Sequence, residues 1–103
     1  MNRKEIAIDF AKSLKHDEIE KIVLFGSVAR GDDNENSDID MLIITKNKSD
    51  MAKIDDDIYT KVFDILIKTE ERISIKMRSK KYYKKYIKSS FLSNIKKEGI
   101  ILS

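Results

Sequence analysis

Apolar residues along this chain recur in blocks whose spacing switches between helical and extended. Ile6, Phe10, Ala11 and Leu14 fall three and four apart, which predicts a helix over residues 3–16. Residues 20–25, Glu-Lys-Ile-Val-Leu-Phe, are a short apolar run closed by Gly26 and read as a buried strand. Residues 27–31 fit one helical turn closed by Gly31, and the polar stretch 32–37 fits a loop. A second strand is expected over 38–45, Asp-Ile-Asp-Met-Leu-Ile-Ile-Thr. A helix follows over 50–60, with Met51, Ile54 and Ile58 on one side and Asp50 near its N-cap. The run Val-Phe-Asp-Ile-Leu-Ile at 62–67 reads as the third strand.

The segment 69–77 supports two readings. Thr69-Glu70-Glu71 has the acids of a helix start, whereas Ile73, Ile75 and Met77 alternate as in a strand; helix is the expectation adopted. Residues 79–96 are expected to be helical, with Tyr83, Tyr86, Ile87, Phe91 and Ile95 forming the apolar side. Gly99 would end that helix, and Ile100-Ile101-Leu102 would add an edge strand. The order is α-β-α-β-α-β-α, an α/β (α+β) fold in which helices flank a small mixed sheet of three to four strands. No repeat or linker interrupts it, and 103 residues suit a single domain spanning 1–103.

Composition narrows the chemistry. With 41% apolar residues the chain can build one modest core, so any pocket would be shallow or completed by a partner chain, a second copy included. The absence of cysteine excludes disulfides and thiolate metal sites. No signal-type apolar run follows Met1-Asn2-Arg3-Lys4-Glu5, and no window approaches the roughly 20 apolar residues of a membrane span. A soluble cytoplasmic protein with no membrane partner is therefore expected. Charge is uneven: residues 1–71 hold 11 Lys/Arg against 17 Asp/Glu, a balance of −6, and residues 72–103 hold 10 against one, a balance of +9. The acidic part suits a cation. The basic part suits phosphates, nucleic acid or an acidic partner, or is simply a solvated lysine face.

Three aspartates stand out. Asp38 and Asp40 lie two apart at the head of an apolar strand, so both face one side while Ile39 and Met41 face the other. Asp64 interrupts the run read as the next strand, where an ionised carboxylate needs a partner. Two carboxylates about 5 Å apart repel by roughly 3 kcal/mol at an effective dielectric near 20. Protonation or a bound cation relieves this, and an all-oxygen set favours Mg²⁺ or Mn²⁺ over zinc. Upstream, Phe25-Gly26-Ser27 runs from a strand into a helical turn, the outline of a phosphate cradle: Gly26 admits close backbone approach, and the Ser27 amide and hydroxyl can donate. Gly-Ser alone is a common turn. Followed, after ten intervening residues, by Asp-x-Asp, it matches by chance on the order of once in a thousand chains of this length.

The run Leu24-Phe25-Gly26-Ser27-Val28-Ala29-Arg30-Gly31, then Ser37-Asp38-Ile39-Asp40-Met41-Leu42-Ile43, resembles the minimal nucleotidyltransferases of the DNA polymerase β-like superfamily. The resemblance extends over nearly the whole chain, to Asp64 and to Glu98-Gly99-Ile100. It implies a nucleotidyltransferase fold in which Asp38 and Asp40 are the paired metal carboxylates and Asp64 the third, catalytic one. Gly26 and Ser27 would form the phosphate-binding turn. Arg30 would either touch phosphate or brace the acidic loop through Asp32 or Asp33. The implied chemistry is in-line nucleotidyl transfer on two Mg²⁺ ions, with Mn²⁺ as a substitute. Small relatives act as antitoxins that transfer AMP from ATP to a tyrosine of a HEPN-domain ribonuclease toxin, and this is the expected role and partner.

Other readings compete. A small-molecule nucleotidyltransferase usually carries a further helical domain, which self-association would have to replace. A non-catalytic module would mask a toxin without chemistry, a reading that loss of a carboxylate would favour. A nucleic-acid contact could use Lys80, Lys81, Lys84, Lys85 and Lys88 around Tyr82, Tyr83 and Tyr86, although such tyrosines are more often a buried helix side. His16 is expected to be an ordinary surface residue.

Overall fold

A computed structural model describes all residues, Met1–Ser103. The chain begins with α1 (Arg3–Ser13), whose N-cap Asn2 accepts a hydrogen bond from the Glu5 amide. Strand β1 (Ile19–Phe25) runs into a short helix α2 (Gly26–Arg30), closed by Gly31 in the left-handed region at φ 84°. Strand β2 (Ile39–Thr45) leads to the long helix α3 (Asp50–Thr69) and then β3 (Ile73–Ser79). Two further helices, α4 (Lys80–Lys85) and α5 (Ser90–Glu98), precede β4 (Ile100–Ile101).

The sheet has the order β3-β2-β1-β4. β1 is antiparallel to both β2 and β4, and β3 is parallel to β2. A parallel neighbour requires a long crossover, and α3 supplies it. This fixes the correction at residues 62–67, which are the second half of α3 and not a strand. Ile54, Ile58, Val62 and Ile65 are spaced four, four and three apart and pack as one helical stripe on the main core. The third strand lies instead at 73–79, where the alternation of Ile73, Ile75 and Met77 prevails over the helix-start reading of 69–71. Glu70, at φ 62°, ends α3 instead of opening a helix. The helix expected over 79–96 is broken at 86–89, because Ser79 and Ser89 each cap a separate helix, accepting from the amides of Tyr82 and Leu92.

Strand alternation divides the interior in two. Ile22, Leu24, Ile39, Met41, Ile43 and Ile73 pack under α1 and α3 to form the main core. Val23, Leu42 and Ile44 face the other way and are covered by Leu92 and Ile95 of α5, with Tyr83 of α4 alongside. Asp40 has the parity of Leu42 and Ile44, so it opens onto this second, thinner layer. No helix is long and apolar enough to cross a membrane.

Candidate nucleotide and metal site

The site forms where β1 turns into α2 beside the start of β2. Phe25 pairs with Asp40 across the β1–β2 ladder, and Gly26 follows at φ 74°. A Cβ on Gly26 would collide with the Asp40 carboxylate, so glycine is required twice: for the left-handed backbone and for the space that carboxylate fills. Ser27 is half-buried, and its carbonyl accepts the amides of Gly31 and Asp32, tying the turn together. Its hydroxyl makes no hydrogen bond within the chain, which leaves it free to donate outward.

Asp38 and Asp40 come together as their spacing predicts, with Ile39 and Met41 fully buried on the opposite face. Burial, and then the neighbouring charge of Asp38, raise the Asp40 carboxyl above the ordinary carboxylate value, while Lys76 and Arg30 pull it back. Asp38 is flanked by Arg72, with an N–O separation of 3.8 Å. Two crowded carboxylates, one of them partly desolvated, suit a hard divalent cation that brings its own charge. Beside Gly26 lies a cleft of ≈ 360 Å³ whose walls include Phe25, Arg30, Phe91, Asn94 and Glu98. Its volume is within the range of small-ligand sites.

The Arg30 guanidinium donates to Asp32 at 3.3 Å and to Glu98 at 3.4 Å, and the side chain also lines the cleft beside Gly26. Asp33 is held instead by Arg3 from α1, which also pairs with Glu71. The acidic loop is thus tied on both sides.

Asp64 does not join the pair. It lies on the exposed side of α3, in a cavity it shares with Asp9, Ser13, Lys61 and Lys68. Asp38 adjoins a different α3 surface, that of Leu66 and Glu70. Residues 64 and 66 are about 200° apart around a helix, so the two aspartates face different surroundings. No group of three or more metal-ligating side chains gathers anywhere in the chain. The β3 residue paired with Asp40 is Ser74, and the next on that face is Lys76. The alternation of Ile73, Ile75 and Met77 marks the strand in the sequence, but only the parallel pairing of β3 with β2 sets Ser74 and Lys76 on the Asp40 face. His16 also departs from expectation: it is half-buried and bonded to Asp57 at 2.6 Å.

The sequence matches the family described as "Polymerase beta, Nucleotidyltransferase" over residues 8–103, and the chain belongs to that nucleotidyltransferase family. Two proteins of Methanocaldococcus jannaschii, both named as candidate protein adenylyltransferases, are close in sequence. One is 36% identical over 94% of this chain and 91% of its own length. The other is 37% identical over 99% of each. The fold is shared with a crystal structure of a toxin–antitoxin with AMP-PNP, at TM-score 0.62 and 15% identity over 99% of this chain and 73% of that one. It is shared equally with a mutant MntA-HpeT toxin–antitoxin, at TM-score 0.60 and 15% identity over 100% of this chain and 73% of that one.

Proposed function

We propose that this nucleotidyltransferase moves AMP from ATP to a tyrosine hydroxyl of a HEPN-type toxin and so serves as its antitoxin. The observation that carries the reading is the closure of the Gly26 backbone on Asp40, whose carboxyl feels the charge of Asp38 two residues before it, with a cleft opening beside Gly26. The names of the two archaeal relatives favour adenylyl transfer to protein, and the toxin–antitoxin structures that share the fold favour a toxin as the partner.

Asp38 and Asp40 would hold Mg²⁺, which on binding supplies charge to the α-phosphate and to the leaving pyrophosphate. The chain's own residues do the rest. Gly26 lets the phosphates approach the backbone, Ser27 donates its hydroxyl, and Arg30 ties the acidic loop to α5 through Asp32 and Glu98. Calorimetry with ATP and Mg²⁺ should show binding that the Asp38→Asn/Asp40→Asn double variant loses. Incubation with α-labelled ATP and the product of the adjacent reading frame should label a tyrosine of that product.

A second reading has one observation in its favour: β3 presents Ser74 and Lys76, not a carboxylate, on the Asp40 face. A chain that binds nucleotide and its partner tightly while transferring nothing would be a masking module.

A further inference from the structure

We infer that Lys76 takes the place of a second divalent cation, so that the chain binds one metal ion per nucleotide. The inference rests on the nucleotide-site reading above and concerns the charges around it. In the parallel β2–β3 ladder Asp40 pairs with Ser74 and Leu42 with Lys76. Residues two apart on a strand share a face, so Asp40, Ser74 and Lys76 line the same side of the sheet. β3, Ile-Ser-Ile-Lys-Met-Arg-Ser, contains no acid at all. A hard divalent ion needs anionic oxygen ligands, and paired ions lie only about 3.5–4 Å apart. Asp38 and Asp40 can serve one such ion together with phosphate oxygens and water. The chain offers no third carboxylate for another, and a second ion would lie close to an ammonium group.

The other cations nearby are already engaged. Arg30 is shared between Asp32 and Glu98, and Arg72 leans on Asp38. Lys76 is exposed and forms no ion pair, yet its charge is felt at Asp40. A lysine ammonium is a compact point charge on a flexible stem, well suited to a phosphate. It would supply the positive charge that the metal-ligand set cannot recruit.

The test is a Mn²⁺ titration of the full chain, followed by electron paramagnetic resonance, with saturating non-hydrolysable ATP analogue. One Mn²⁺ per chain in the nucleotide complex is expected. Lys76→Met should weaken the analogue about tenfold with the Mn²⁺ count unchanged, and Lys76→Arg should restore most of the affinity. Two Mn²⁺ per wild-type chain, or a Lys76→Met chain that binds as tightly as wild type, overturns the inference and leaves the nucleotide site intact. A wild-type chain that binds no nucleotide overturns the site reading itself, and this inference with it.

Discussion

At Asp40 the demands of the proposed metal site oppose those of folding. Its carboxyl is raised by burial and by Asp38, so the folded chain holds that proton more tightly than the unfolded chain. Stability is therefore lost as pH climbs from the unfolded carboxylate value, about 3.9, through the higher folded one. Asp40→Asn should melt higher than wild type at pH 7 without metal, and the gap should close below about pH 4. Thermal melts across pH check this; a lower melting point at pH 7 would mean that Asp40 stabilises the fold. Gly26→Ala should do the reverse, since a left-handed alanine costs roughly 1–2 kcal/mol and its Cβ would displace Asp40. Gly26, Ser27, Asp38 and Asp40 were legible in the sequence because their chemistry is local: a turn, a parity and a spacing. Lys76 was not, because its place beside Asp40 exists only once β3 pairs in parallel with β2.

At the scale of elements, the misplaced third strand explains the misplaced third aspartate. Val62-Phe63-Asp64-Ile65-Leu66-Ile67 is apolar enough for a strand, and a short apolar run does not reveal its own period. The crossover between parallel strands decides it, a tertiary requirement that no window of six residues contains. In α3 Asp64 needs no metal, because water solvates it. Asp64→Asn should then change stability by less than about 0.5 kcal/mol and leave nucleotide affinity unaltered. A large loss of affinity would return Asp64 to the site. The split of the expected 79–96 helix has an equally local cause. Ser89→Ala removes the cap of α5 and should cost about 1 kcal/mol in chemical denaturation. That helix roofs the cleft, so the loss should also loosen nucleotide binding.

At the scale of the molecule, opposite ends of the chain hold the site between them. Arg3 fastens α1 to the acidic loop and to Glu71, while His16 and Lys61 both bond Asp57, joining the segment before β1 to α3. Lys61, and then His16, hold the Asp57 carboxyl below its ordinary value. Its contribution is complete above the unfolded value of about 3.9 and is lost as pH falls through the lower folded one, the opposite sign to Asp40. Being well exposed, it is worth at most about 1 kcal/mol. The other tie is the strand after α5. Ile100 and Ile101 pair with Leu24 and Val23, the Leu102 amide donates to the Ile22 carbonyl, and the Ile22 amide donates to Ser103. Gly99 permits this, since a Cβ there would strike the Ile95 carbonyl and Val23. β1 ends at Phe25, so whatever steadies its outer edge also steadies Gly26 against Asp40. Deleting residues 100–103 should lower the melting point and speed hydrogen exchange at the Ile22 amide first. Nucleotide affinity should fall with it, although none of the deleted residues borders the cleft beside Gly26. A truncated chain that exchanges faster at Ile22 but binds nucleotide unchanged would show that the turn holds its shape without the edge strand.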